Sequence, residues 1–208
     1  MSESKPVSLP TGDGVLLEGQ LTTGADAWVI LWHDLGSDLD VWRPLQETLK
    51  TFTLLAMDLR GHGISEGAFS QQAAEDDLVM TIRWARGQGA ARVGVVAAGS
   101  SADSALGAAV QEPIDAVVLL SPPSSVNPGC RPRVPKLILV GGADPAALEA
   151  ARAHYQRSIG PASLVDFPLH EQGSALLTTA FAAHFLEQIS GFLANTLSRS
   201  YREVSTTR

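Results

Sequence analysis

Short, continuous apolar runs alternate with segments of helical periodicity along most of the chain. Runs of this kind are typical of strands buried on both faces of a sheet, and they lie at 27–33, 52–59, 92–97, 114–120, 136–140 and 163–167. The helical segments follow them at 40–50, 73–86, 102–110, 146–155 and 175–197. Because strands that alternate with helices are joined by right-handed βαβ crossovers, this order predicts an α/β protein with a mostly parallel sheet and helices on both faces.

The first two strands depart from this pattern. Apolar runs at 7–10 and 15–21 flank the turn Thr11-Gly12-Asp13-Gly14, and Asp-Gly between such runs indicates a β-hairpin. The hairpin adds antiparallel strands at one edge, which gives a predicted sheet of eight strands. We find no linker or internal repeat, so we expect a single domain over 1–197 without a cap domain, and a polar tail over 198–208.

Composition and charge exclude several classes of protein. The chain has 208 residues, 45% of them apolar, and a net charge of −7. These values suit one globular domain and give no basic surface for nucleic acid. No apolar run reaches the roughly 18 residues that a membrane helix needs, and the first ten residues do not form a secretory signal. The single cysteine, Cys130, cannot form an internal disulfide, so we expect a cytoplasmic protein. No residues show metal-ligand spacing, and we expect no metal or other cofactor.

Motifs at the ends of the predicted strands resemble the α/β-hydrolase fold family, specifically its small lidless esterases of the dienelactone-hydrolase kind. The loop that supplies an oxyanion-hole amide in that family, H-G-x-G, is similar to HDLGSDLDVW. The family segment D-x-R-G-H-G-x-S is similar to DLRGHGISEG, the strand before the triad acid resembles LILVGGADP, and the histidine loop resembles FPLHEQGSALL. The order of nucleophile, acid and histidine is that of the family. The resemblance implies the α/β-hydrolase fold from about Pro6 to Leu193.

The resemblance also implies which residue stands in the nucleophile position. The family places a serine there, at the centre of G-x-S-x-G, on a sharp turn between a strand and a helix. An Ala-Leu pair follows that serine by six and seven residues, and here the pair is Ala105-Leu106. The nucleophile position is then occupied by Gly99. Glycine suits such a turn, because a residue with positive φ costs about 1–2 kcal/mol unless it is glycine.

The histidine loop can be aligned in the same way. Gly173-Ser174 matches the pair that follows the family's histidine, which puts Gln172 in the histidine position. Among the three triad positions, only Asp144 matches the family. Since glycine has no hydroxyl and glutamine cannot act as a base, the sequence predicts a non-catalytic homologue of these hydrolases.

The predicted homologue would keep a binding site at the old catalytic position. The backbone amides of Leu35 and Ser100 would still form an oxyanion hole, and a small carbonyl or carboxylate compound, or a protein partner, would bind there. Asp34 stands where the family has glycine, and its carboxylate would either repel an oxyanion or point outward. We expect His33 to brace its loop. Asp144 is equally compatible with capping the helix that begins near Pro145.

An active enzyme is the alternative. Ser101 would be the nucleophile if Gly99 were the first glycine of G-x-S, although Asp103 would then stand where the turn needs a small residue. Ser100 would serve if it moved into place, although a serine there more often caps helix amides. His170 would be the base. It lies two residues before the expected histidine position, a distance of about 7 Å along an extended chain.

That alternative is a hydrolase of small esters, amides or thioesters that uses Ser100 or Ser101 with Asp144 and His170. A homo-oligomer, or a subunit paired with an active relative, is also compatible with the sequence, which carries no direct signal for either.

Overall fold

The computed structural model describes residues 4–124 and 131–197. In this part of the chain, one sheet of eight strands has the order β1-β2-β4-β3-β5-β6-β7-β8. The strands are β1 (Ser4–Pro10), β2 (Leu16–Thr22), β3 (Ala27–Trp32), β4 (Thr53–Met57), β5 (Arg92–Ala98), β6 (Ala116–Leu120), β7 (Lys136–Gly141) and β8 (Ala162–Phe167). Strands β3 to β8 pair in parallel, and β1, β2 and β4 pair antiparallel. The predicted fold class and edge hairpin are confirmed. Cys130 and the tail over 198–208 lie outside the described residues.

Five α-helices of the described chain cover the two faces of this sheet. They are α1 (Arg43–Thr48), α2 (Gln71–Gly87), α3 (Ser101–Gln111), α4 (Pro145–Arg157) and α5 (Ala182–Leu197). Helices α2, α3 and α4 contribute to one apolar core cluster, and α1 and α5 contribute to the other. Strand β3 is buried along its whole length. Ile30 and Trp32 belong to the first cluster, and Val29 and Leu31 to the second, as the two-residue period of a strand requires.

The predicted helix over 175–197 is wrong in its first part. The structure has a 3₁₀ helix at Gly173–Thr178, and α5 begins only at Ala182. Two threonines explain the interruption. The hydroxyls of Thr178 and Thr179 donate to the carbonyls of Ala175 and Leu176, and the Thr179 hydroxyl also accepts from the Phe181 amide. Side chains that compete in this way for backbone groups favour a helix end.

No helix in the described ranges has both the length and the apolar character that crossing a membrane requires.

Candidate functional site

The candidate site lies at the carboxyl edge of the parallel strands, where the strand order reverses between β3 and β5. Ligand sites in open α/β sheets form in this crevice. The loop after β3 carries Asp34, and the turn after β5 carries Gly99. Asp144 follows β7, and Gln172 follows β8. The fold therefore brings all four of these predicted positions to one edge of the sheet.

Gly99 forms the sharp turn between β5 and α3. Its φ is +52°, the left-handed conformation that favours glycine. Its amide donates to the carbonyl of Leu120 at 2.8 Å, which fixes the turn against the end of β6. A Cβ added at this position would lie 2.9 Å from the Cβ of Asp34. Glycine at 99 therefore satisfies two requirements, the backbone conformation and the close approach of a neighbouring side chain.

The Asp34 side chain points into the site. Its Oδ1 accepts a hydrogen bond from the Ser174 hydroxyl at 2.8 Å, and its Oδ2 accepts one from the Ser174 amide at 3.3 Å. A Cβ added at Gly173 would lie 2.2 Å from Asp34 Oδ2. The carboxylate is thus held between Gly99 and Gly173, both of which have positive φ. The outward orientation considered from the sequence is not found.

Both polar atoms of the Gln172 side chain are hydrogen-bonded to backbone groups. Its Nε2 donates to the carbonyls of Gly141 at 2.8 Å and His170 at 3.2 Å. Its Oε1 accepts from the Gly141 amide at 3.4 Å. These bonds tie the loop that follows β8 to the end of β7, so the amide group that replaces the expected histidine has a bracing role.

Asp144 caps helix α4. Its Oδ1 accepts hydrogen bonds from the amides of Ala146 at 2.9 Å and Ala147 at 3.3 Å, the pattern of a residue at the N-cap. Within the described residues, no hydrogen bond joins this carboxylate to Gln172 or His170. The structure gives Asp144 the capping role that the sequence also allowed.

In the described chain, no hydrogen bond joins the two serines and the histidine of the alternative catalytic set to one another. Ser101 is 2% exposed, and its hydroxyl donates to the carbonyl of His33 at 2.5 Å. Ser100 stands at the N-cap of α3 but makes no capping bond through its side chain, so the expected cap bond is wrong. Its Oγ is buried without a partner in the described chain. The His170 side chain is exposed, and no hydrogen bond of the described residues joins its ring to either serine.

His33 braces two loops, as expected. Its buried ring accepts the Leu59 amide at Nε2 (2.9 Å), and its Nδ1 lies 2.8 Å from the Asp34 carbonyl. Since Nε2 accepts and a carbonyl can only accept, the proton is on Nδ1 and the ring is neutral. Burial lowers the pKa of His33. The ring therefore holds the backbone of Asp34 in place while the side chain of Asp34 enters the site.

Two amides predicted for an oxyanion hole remain available. In the part of the chain that the structure describes, neither the Leu35 amide nor the Ser100 amide donates an intramolecular hydrogen bond. No group of three or more His, Cys, Asp or Glu side chains in residues 4–124 and 131–197 lies close enough to hold a metal ion. The site therefore offers backbone donors, hydroxyls and one carboxylate.

Two serines of this region have structural features that the sequence did not signal. Ser174 holds the Asp34 carboxylate although it lies 140 residues away along the chain, and no local pattern signals such a contact. Ser121 follows β6 and has a φ of +49°. In the described chain, it is the only residue other than glycine with a positive φ. The Ser121 hydroxyl is buried without a partner in the same part of the chain.

The sheet order, the helices on both faces and the turn after β5 together define the α/β-hydrolase fold. No protein-family model and no curated protein matches the chain. Several solved structures, in contrast, are similar to the chain in fold. The esterase Pf2001 of Pyrococcus furiosus has a TM-score of 0.81 at 21% identity, covering 95% of this chain and 92% of that one. Dienelactone hydrolase from Anabaena variabilis has a TM-score of 0.81 at 22% identity, covering 94% and 98%.

A third similar structure is XC6422 of Xanthomonas campestris, described as an α/β serine hydrolase without a lid. It has a TM-score of 0.72 at 20% identity, and the match covers 95% of this chain and 94% of that one. These similarities confirm the fold that the motifs implied, and no cap domain is evident over the described sheet.

Proposed function

We propose that this chain is a non-catalytic protein with the α/β-hydrolase fold, which binds a small carbonyl or carboxylate compound at the former catalytic position. The observation that carries the proposal is the position of Asp34. Its side chain fills the space into which a side chain at position 99 would extend, with 2.9 Å between its Cβ and a Cβ added at Gly99. A nucleophilic side chain at position 99 would therefore require Asp34 to shift.

The other triad positions support this proposal. Triad catalysis needs a hydroxyl, a base that takes its proton, and a carboxylate that orients the base. Gly99 supplies no hydroxyl, and both polar atoms of Gln172 are bonded to backbone. Asp144 caps a helix. Each of the three residues has a structural role that does not involve the other two.

The backbone of the site can still recognise a ligand. The amides of Leu35 and Ser100 are free to donate, and the Ser100 amide lies at the start of α3, where the helix dipole favours negative charge. Carbonyl and carboxylate oxygens accept from such donors. The chemistry that remains is therefore binding of an oxygen-bearing group, without attack on it.

Intact-mass measurement after incubation with a fluorophosphonate tests the proposal, because this reagent phosphonylates activated serine hydroxyls with loss of fluoride. We expect no adduct, and no hydrolysis of p-nitrophenyl acetate above that of the S100A and S101A variants. An adduct that maps to Ser100 or Ser101 and disappears in the matching alanine variant would contradict the proposal.

One observation favours the active alternative, namely the buried Ser100 hydroxyl without a partner. An enzyme built on it would also need His170 to turn inward from its exposed position. The H170A variant separates the two functions. A hydrolytic rate that falls equally in S100A and H170A would identify an active pair, whereas a rate at background in the parent supports the binding protein.

Two predictions accompany the proposed function: the chain forms a single domain over 1–197, and it resides in the cytoplasm. A homo-oligomer is also compatible with the sequence, which carries no direct signal for it. The single cysteine supports the cytoplasmic location. Sedimentation of the purified protein measures the oligomeric state directly.

A further inference from the structure

The carboxylate of Asp34 is held in the site as a bound ligand would be held. Its two oxygens accept from the hydroxyl and the amide of one residue, Ser174. Two glycines border it, and side chains at either would collide with it, since added Cβ atoms would lie 2.9 Å from its Cβ and 2.2 Å from its Oδ2. The surrounding chain therefore provides both the donors and the space for a carboxylate.

We propose that Asp34 is an internal occupant that competes with a small carboxylate ligand for this space and for the Ser174 donors. The inference rests on the proposed binding function and names its ligand class. An acetate ion has the same atoms as an aspartate side chain beyond Cα, so it can accept the same two hydrogen bonds. A ligand carboxylate gains entry when the Asp34 side chain rotates away from Gly99.

Charge and space both require this exchange. Two carboxylates in one small site repel each other, so a ligand anion does not bind beside Asp34. A ligand that accepts from the same Ser174 donors would also need the space that the Asp34 carboxylate fills beside Gly173. In the proposed exchange, rotation about the Cα–Cβ bond moves the carboxylate, while the bond between the Asp34 carbonyl and His33 keeps the backbone in place.

With an internal occupant, the apparent Kd for the ligand equals the intrinsic Kd divided by the fraction of molecules in which the site is open. If Asp34 occupies the site in about nine molecules of ten, removal of its side chain lowers the apparent Kd by about tenfold. A carboxylate that served only as a structural brace would leave the parent without saturable acetate binding, because acetate would then enter only after the side chain had been removed.

The test is a titration of the full chain with sodium acetate at constant ionic strength. Binding is monitored through the amide signals of Gly99, Gly173 and Ser174 in ¹H–¹⁵N spectra. We expect the D34A variant to bind acetate at least tenfold more tightly than the parent. The D34N variant should bind acetate with an affinity between those of the parent and D34A, because an asparagine fills the same volume but has no charge and only one oxygen to accept from Ser174. The D34A/S174A variant should lose the gain.

Equal Kd values for D34A and the parent would overturn the proposal, and so would the absence of saturable acetate binding to the parent. A gain that survives in D34A/S174A, or one in which acetamide binds as tightly as acetate, would overturn it as well. If D34A does not fold, D34G provides the same opening with the residue that the hydrolase pattern has at this position. The proposed function fails by a different result, a fluorophosphonate adduct on the parent protein, so the two failures are distinguishable.

Discussion

Two segments at the carboxyl edge of the sheet resemble the esterase motifs in different respects, one in its side chains and the other in its backbone. The segment DLRGHGIS at 58–65 keeps every polar residue of its motif, and each of these residues is hydrogen-bonded to backbone or side-chain groups of the protein. The turn after β5 has the backbone shape of its motif, with Gly99 at a φ of +52°, but carries no side chain at its tip. The first segment thus has the side chains of its motif, whereas the turn has the backbone of its motif without a reactive group.

The bonds of the first segment show what such residues do. Asp58 accepts the amides of Leu39 at 2.8 Å and Ile64 at 3.1 Å, so one carboxylate joins two loops. The guanidinium of Arg60 bonds the buried Asp77 through two contacts of 2.6 Å and also reaches Asp13 in the hairpin turn at 3.0 Å. None of these contacts depends on the chemistry at Gly99.

Removal of Arg60 should have the largest effect on stability. R60A leaves Asp77, which is 1% exposed, without its cation. Loss of one partner of a buried pair costs about 3–5 kcal/mol, and urea denaturation measures it. R83A is the matched control, because the Arg83–Glu112 pair is largely exposed on its arginine side and such pairs contribute about 0–1 kcal/mol. Equal losses in both variants would mean that the segment at 58–65 has no special structural role.

A side chain at position 99 should destabilise the protein next most strongly. G99S places a Cβ in a positive-φ conformation, which costs about 1–2 kcal/mol, and 2.9 Å from the Cβ of Asp34. We expect D34G to relieve the second part of this cost, so the double variant D34G/G99S should lose less stability than the sum of the single variants. Strict additivity in thermal or urea unfolding would show that Asp34 does not contact position 99.

The pH dependence of stability tests the brace under the site. Burial lowers the pKa of His33 from the ordinary value of 6.5. As the pH falls below that value, the unfolded chain binds a proton that the folded chain does not bind. Stability is therefore complete above about pH 6.5 and declines below it, by at most about 1.4 kcal/mol for each pH unit from this one group.

The H33Q variant serves as the reference for this measurement, since a glutamine can accept from the Leu59 amide but does not titrate. The difference in unfolding free energy between the parent and H33Q should shrink between pH 7.5 and 5.5. A difference that stays constant over this range would contradict a buried neutral ring.

Loss of the helix cap at Asp144 should have the smallest effect. D144A removes the acceptor of the Ala146 and Ala147 amides, and such caps contribute about 0.5–2 kcal/mol. D144N is the control, since asparagine caps nearly as well. Acetate affinity should be unchanged in both variants. If the acetate affinity changed with the charge at position 144, Asp144 would contribute to the ligand site, contrary to this prediction.

The fold could be predicted because it depends on local patterns, and the site could be predicted only in part. Buried strands are continuous apolar runs, and β3 is an example that the structure buries completely. Gly99 and Gln172 were assigned through the resemblance of their own segments to the family motifs. The bond between Asp34 and Ser174 joins residues 140 positions apart, and whether Asp34 points inward depends on the distance between two loops. The break before α5 depends on which backbone groups the hydroxyls of Thr178 and Thr179 bind.

The close approach of Asp34 to Gly99 also has a consequence for related sequences. A serine at position 99 and an aspartate at position 34 fit together poorly, because a Cβ at 99 lies 2.9 Å from the Cβ of Asp34 and one of them must shift. We therefore expect the residues at these two positions to vary together among related sequences, with a side chain at 99 accompanied by glycine at 34.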